Sequence, residues 1–528
     1  MLLPPPVPGH VALHQLLVDP SASTHTSNLT LANAARGRVR TALKQTTKHP
    51  LNQADWAGTS RAIQEYLGHL VAILVCVEQD DLVPRSDPVL FYWRGSLSSH
   101  PLKKGSRRAA LPSLHAELTA TLLAYALCLA NQAASLVASL GSYEISASVS
   151  ASAIAAHDET INHAADTLCR ASGVLMYLAE TVVPRWEAAV GQEALKSRPV
   201  EMTRQVTTAL AKMCLADANL LAIRRLLSRS LSVAHSTTTP GPPLPPGHPS
   251  PSLLAKLHLH VYSLYDEART LVKTASEGGG GGTDSGEIVL PLRRYLSDGR
   301  TLSLALSYKW LGVDAGESKT APSSSSSASS SSTATGDALG YLALAAQQLD
   351  ALVDKDKGFK KLKGFGKGRE AGRGRKGKVQ EEIDSTEAFR SAYKKVNDTV
   401  HFQPITPGPT LQSRLPSGRA ALSPKAFSLP PPTFRPSRLA AAATATTATA
   451  AVGRARAPPP PPHQFAPPLL SDRGAVSAFP GHGHLPIVPA TAAGGGAGGE
   501  EEDDDLSSDE GDDGGTQLGD YFGAGQYF

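Results

Sequence analysis

The sequence predicts an all-α domain followed by a disordered tail, and three observations carry that prediction. Apolar residues recur three and four positions apart, the helical period, from about residue 61 to residue 400. The stretches STTTPGPPLPPGHPSP (236–251), EGGGGGTDSGE (277–287) and APSSSSSASSSSTATG (321–336) have linker composition yet lie between strong helices. From about Pro430 onward, runs such as AAAATATTATAAV, RAPPPPPPHQFAPP and GGGAGGEEEDDD cannot bury enough apolar surface to fold. Loop-closure cost grows only with the logarithm of length, so the three inserts read as swollen loops of one domain. Long antiparallel helices joined in this way imply an α-solenoid or an elongated bundle; no fixed repeat period is visible.

The N-terminal residues 1–24 read as a flexible lead. SRAIQEYLGHLVAILVCVEQ places Ile63, Tyr66, Leu67, Leu70 and Leu74 on one helix face. LPSLHAELTATLLAYALCLANQAASL opens with proline at a helix start, where its missing N–H costs nothing. Further helices are expected over about 158–183 and 201–229, the second ending in arginines, as the helix dipole favours. SPSLLAKLHLHVYSLYDEARTLVKTA is capped by Ser250 or Ser252, and Pro291 is expected to kink or break the next helix. Runs beginning at GDALGYLALAAQQLDALVDK and QEEIDSTEAFRSAYKKV complete the set.

Composition narrows the function. Of 528 residues 41% are hydrophobic but only 5% aromatic, and the net charge of +4 carries no global nucleic-acid argument. Cys76, Cys128, Cys169 and Cys214 each sit in an apolar run without CxxC spacing, so they read as buried reduced thiols and point to the cytosol or nucleus. The uncharged stretch Leu118–Tyr143 could span a bilayer by length, but its Asn131 and Gln132, and the lack of a flanking positive cluster, favour a helix wrapped by other helices. No GxSxG, HExxH or QACxG signature supports hydrolysis, and GFGKGREAG lacks the preceding strand and GK[ST] of a nucleotide loop. Neither a cofactor nor a metal site is implied.

Two segments carry concentrated charge. GFKKLKGFGKGREAGRGRKGK (358–378) holds Lys360, Lys361, Lys363, Lys367, Arg369, Arg373, Arg375, Lys376 and Lys378. Three readings stand for it: a solvated loop between helices, a contact with an anionic membrane surface, or an arm that binds nucleic acid. The acidic run EEEDDDLSSDEGDD reads as a solubilising tail, and the proline run 458–462 suits SH3 or WW domains without specific flanks.

The stretch YKKVNDTVHFQPITPGPTLQSRLPSGR resembles the closing segment of the fungal palC family, pH-response regulators built on the Bro domain. LFYWRGSLSSH, ALAKMCLADANLLAIRRL, LAKLHLHVYSLYDEA and YKWLGVDAGE resemble further parts of that family, and LANAARGRVRTALKQ its start more loosely. The resemblance covers about 25–425 and implies a boomerang-like Bro domain over 25–430, with a helix-hairpin core and a small β-sheet. TVHFQPI is expected to be the extended late segment that returns along the body and ends the folded domain, because Pro404 disfavours helix before it; residues 431–528 would form the tail. The implied role is that of a non-enzymatic cytoplasmic adaptor of alkaline-pH signalling, recruited to plasma or endosomal membranes. It would bind the ESCRT-III core subunit and other pathway components, leading to proteolytic activation of a PacC-type transcription factor. The implied partner is an amphipathic C-terminal helix seated in an apolar groove. By residue matching, that groove takes Leu253 and Leu257, with Leu220 or Leu221 from the preceding helix; ordinary core is the other reading of these leucines. The insertion 236–251, directly before Leu253, departs from the wider family. The alternative function is a nucleic-acid-associated protein acting through 358–378.

Overall fold

The computed structural model describes residues 1–20, 24–48, 50, 53–99, 108–145, 150–277, 287–317, 334–362 and 371–437, all within the unit Met1–Ala440. Its helices are α1 Leu13–Leu16, α2 Thr26–Lys48, α3 Trp56–Glu78, α4 Leu114–Leu140, α5 Ala151–Tyr177, α6 Val183–Ala194, α7 Arg204–Ala234, α8 Pro251–Glu277, α9 Leu290–Glu317, α10 Ala334–Leu362, α11 Ala371–Val396 and α12 Gly408–Gln412. Local chemistry sets many of their starts. Asp55, Ser113 and Thr203 accept backbone N–H groups of Gly58, His115 and Val206 in the first turns of α3, α4 and α7. A π-helical turn, Leu178–Val182, joins α5 to α6.

The long helices α2, α3, α4, α5, α7, α8, α9, α10 and α11 each pack mainly on the long helices before and after them in the chain, α5 directly on α7, as in an array of helix hairpins. α3, α4 and α7 are long and apolar enough to cross a membrane by length and composition, but most of each apolar window is buried inside this array. The four cysteines are free thiols, all buried.

Small antiparallel sheets accompany the helices. β4 Leu90–Arg94 pairs with β1 Val7–Pro8 on one side and β6 Arg108–Pro112 on the other. Its alternation is that of a half-buried strand, with Phe91 and Trp93 inward and Leu90, Tyr92 and Arg94 outward. β2 Leu17–Val18 pairs with β3 Val83–Pro84, and β5 Ser98–Ser99 with β7 Glu287–Ile288.

Several expectations need correction. The supposedly flexible lead is packed: Met1, Leu2 and Leu3 are buried, and the Leu3 backbone is bonded at both N and O by the Asn131 side chain, at 2.8 and 2.6 Å. Pro291 neither kinks nor breaks a helix; it sits in the first turn of α9, where no N–H is missed. TVHFQPI is extended only in its last part. Asn397–His401 extend α11 as a π-helical turn, Phe402 turns left-handed, and only then does the chain straighten. The cause is Asn397, whose side chain bonds both the N–H and the carbonyl of Gln403 at 3.0 Å. Gln403 Oε1 in turn accepts from Thr335 and Gly336 N–H and so caps α10 from a distance. Nor does the chain leave the body there. The basic stretch 358–378 is also not simply a loop: α10 runs to Leu362 and α11 begins at Ala371.

Candidate partner-binding site

α7 and α8 form the hairpin that carries the expected groove. Leu220, Leu221 and Leu257 are 7%, 0% and 6% exposed and belong to the main core, whereas Leu253, in the first turn of α8, is half-buried at its margin. The i,i+4 spacing of Leu253 and Leu257 thus spans the edge of the core. Beneath this hairpin lies Asp217 of α7, fully desolvated, with Tyr265 and Tyr295 hydroxyls donating to Oδ1. Burial raises its carboxyl above the usual range, and these bonds tie α7 to α8 and α9.

The same hairpin is crossed by a segment that sequence reasoning read only as the end of the domain. From Pro416 to Ser437 the chain runs extended over successive helices. Arg419 N–H donates to Lys256 carbonyl at 2.9 Å on α8, and Asn219 of α7 accepts from Ala421 and Leu422 N–H at 2.9 and 3.0 Å. Lys425 N–H donates to Cys169 carbonyl on α5 at 3.0 Å while its ammonium pairs with Asp166. Phe427 lies edge-on to Tyr177, 5.5 Å between ring centroids, and Thr433 N–H donates to Gly68 carbonyl on α3. Ser437 finally donates to Asp81, which also bonds His25 Nε2 at 2.7 Å. Two close approaches demand glycine: a Cβ on Gly418 would stand 2.7 Å from His260 N, and one on Gly173 would overlap the Lys425 carbonyl. Prolines 416, 424, 430–432 and 436, with Leu422, Phe427, Leu429 and Phe434 between or beside them, are the sequence signal that marks such a strap.

His25, Cys76 and Asp81 are the group of potential metal ligands that the described residues bring together. Burial pushes the Cys76 thiol up to about 11, and Asp81 is occupied by Ser437 and His25, so the cluster acts as a hydrogen-bonded latch for the strap.

Of the basic residues, Lys363, Lys367 and Arg369 lie outside the described residues. Lys360 and Lys361 fall in the last turn of α10 and Arg373, Arg375 and Lys376 in the first turns of α11. Lys378 is not a solvated surface cation: it is partly buried against α7 and lines a cavity there.

On α8, His258 is 3% exposed, and burial, reinforced by Lys309, lowers its pKa from 6.5 to about 3. As pH falls through 6.5 the unfolded chain takes up a proton that the folded chain refuses. Stability from this group is therefore full above about 6.5 and falls by about 1.4 kcal/mol per pH unit below it. We expect a His258→Gln variant to lose its urea midpoint less steeply between pH 7 and pH 5 than the parent. Parallel curves would show that His258 takes up its proton as readily in the folded state as in the unfolded one.

An array of helix hairpins with small antiparallel sheets and an extended return strap defines a helical scaffold of the Bro type. The chain belongs to the BRO1-like domain family, whose model matches residues 18–426. It is 36% identical over 470 residues to the pH-response regulator protein palC of Cryptococcus neoformans var. neoformans serotype D (strain B-3501A), covering 82% of this chain and 92% of that relative. Among solved structures it is similar to ALIX in complex with the SIVmac239 PYKEVTEDL late domain, with TM-score 0.52 and 15% identity over 86% of this chain; it spans about half (54%) of that longer chain. It is also similar to the ALIX BRO1 CHMP4C complex, with TM-score 0.50 and 15% identity over 82% of this chain and 97% of that one. At such identities these two likenesses speak for the fold.

Proposed function

We propose that this protein is an adaptor of ambient alkaline-pH signalling that binds the C-terminal helix of an ESCRT-III core subunit and thereby promotes proteolytic activation of a PacC-type transcription factor. The observation that carries this reading is the 36% identity to a pH-response regulator along 92% of that relative's length, on a fold shared with the ALIX BRO1 CHMP4C complex. The role needs a rigid docking face and no catalytic step. We place the helix along the first turns of α8, with Leu253 as the reachable apolar contact and Leu220, Leu221 and Leu257 as the packed floor beneath it. Burying the half of Leu253 that is still exposed would contribute roughly 1–1.5 kcal/mol, and polar contacts at the rim would set the register.

The test is binding of the full chain to a peptide of the ESCRT-III core subunit's C-terminal helix, measured by fluorescence anisotropy at two salt concentrations. Expected is micromolar binding with modest salt sensitivity, weakened about ten-fold or more by Leu253→Asp while circular dichroism is unchanged. Unaltered binding by a folded Leu253→Asp variant would move the groove elsewhere. No binding to the peptide, with tight and steeply salt-dependent binding to RNA, would replace the adaptor reading with a nucleic-acid one.

A further inference from the structure

A cavity of about 130 Å³ lies where the C-terminal half of α7 meets α8, α9 and α11, closed on one side by Thr237, Thr238 and Thr239 of the loop after α7. Its walls are apolar, contributed by Leu220, Ile223, Leu227, Leu302 and Leu306. Its polar groups are unusual for an internal space. His258 and Ser303 are 3% and 1% exposed, yet His258 Nδ1 and Ser303 Oγ have no hydrogen-bond partner among the described residues. Thr237 Oγ1 and Arg224 Nη1, which also line the cavity, are unpartnered in the same way. Each of these atoms can donate, and the guanidinium nitrogen can do nothing else.

The charges are similarly unbalanced. Glu144 is taken by Arg224 Nε and Nη2, at 2.7 and 3.1 Å, and Glu382 by Lys309 at 2.6 Å. Both lining carboxylates are therefore engaged. Lys378 has no carboxylate at ion-pair distance among the described residues. Burial, with Arg224 nearby, holds its ammonium below the ordinary range, and the more distant Glu144 and Glu381 offset only part of that. A half-buried cation with no carboxylate at ion-pair distance, facing orphaned donors across an apolar chamber, is costly unless an acceptor-bearing anion completes it.

We propose that the cavity binds a small amphipathic anion, a medium-chain monocarboxylate, with its carboxylate on Lys378 Nζ, Arg224 Nη1 and Ser303 Oγ and its chain along the leucines of α7 and α9. Size supports the class: a comparable apolar cavity of about 150 Å³ accepts benzene, so this one, open on one side, suits about six to ten non-hydrogen atoms. One uncompensated ammonium matches a monoanion better than a dianionic phosphate. Water could satisfy the hydroxyls but would leave the charge of Lys378 unbalanced.

The experiment is calorimetric titration of the full chain with octanoate and with octan-1-ol, paired with the carboxyl signal of 13C-labelled octanoate. Expected is saturable one-to-one binding of octanoate, with the alcohol at least about ten-fold weaker because it cannot neutralise Lys378. Lys378→Met should weaken octanoate binding by about ten-fold or more and leave the alcohol unchanged. Leu306→Trp, which fills the apolar end, should abolish both. Failure of octanoate to saturate by about 5 mM, or equal binding of acid and alcohol by the wild-type chain, overturns the proposal. The wild-type comparison of acid with alcohol decides the matter even if a variant fails to fold.

Discussion

Glu117→Ala is expected to lower stability by about 3–5 kcal/mol, the largest single-residue effect we anticipate. Glu117 is the one acidic residue of the first turn of α4 and is completely buried. Its carboxylate accepts from Arg36 Nε at 2.8 Å, from the Tyr66 hydroxyl at 2.9 Å and from Trp93 Nε1 at 2.6 Å. α2, α3 and β4 are thereby drawn onto α4, and Arg36 extends the network by donating to Gly9 carbonyl at 2.7 Å beside β1. Burial opposes the charge of Arg36, but the attraction of Glu117 outweighs it and holds the guanidinium above its ordinary range. Removing the carboxylate leaves that cation and two donors buried without a partner, a cost well above that of one lost hydrogen bond. Urea unfolding of the full chain, followed by circular dichroism, measures it. The pair Arg36→Met with Glu117→Leu should be less damaging than Glu117→Ala alone, because it removes the charge along with its partner. A loss below about 1 kcal/mol for Glu117→Ala would mean that the carboxylate is solvated rather than clamped.

The second large effect is expected at Asn219. Its side chain holds three backbone groups of the strap, with Oδ1 accepting from Ala421 and Leu422 and Nδ2 donating to the Leu422 carbonyl at 3.3 Å. Nδ2 also donates to Leu215 carbonyl one turn back at 2.8 Å, which fixes the amide's orientation. Asn219→Ala should cost about 2–4 kcal/mol, since it deletes four hydrogen bonds and strips the part-buried strap backbone at Ala421 and Leu422 of its partner. The loss should be local: the strap's ties at Cys169 on α5, Gly68 on α3 and Asp81 in the turn after α3 lie away from α7. Trypsin cleavage after Arg419 and Lys425, followed by mass spectrometry, reads strap release directly. An increase of about ten-fold or more in that cleavage, with the helical signal retained, is the expected result. An unchanged cleavage rate would show that apolar anchoring by Leu422 and Phe427 holds the strap without the amide.

Much of the architecture is legible in the sequence because its determinants are local. A helix needs only apolar residues at the helical period and a cap, so α3, α4, α7 and α8 follow from their own residues. Phe91 and Trp93 alternate inward within β4 as LFYWRG suggests, but nothing near that motif identifies Val7–Pro8 as its pairing partner. MLLPPPV reads as a flexible lead because prolines forbid helix, whereas burial of Met1–Leu3 depends on Asn131, 128 residues away from Leu3. The leucines proposed for the groove show the limit most clearly. An i,i+4 pair on a helix serves a docking face and a core face equally well, and packing alone puts Leu257 inside while leaving Leu253 at the margin. Lys378 reads as one of nine similar basic residues, and only the packing of α11 on its neighbours makes it a half-buried cation that lines a cavity.

By itself, then, the sequence determined the long helices from α3 onward and the family, since these follow from short-range periodicity, caps and motifs; α2, Thr26–Lys48, lies before the range in which the helical period is read. Which polar groups are buried together was decided only by the tertiary structure. Glu117 with Arg36, Asn219 with the strap and Lys378 with its cavity are each joined across tens to hundreds of residues, and their energetic weight comes from shared exclusion of water, which no local pattern encodes.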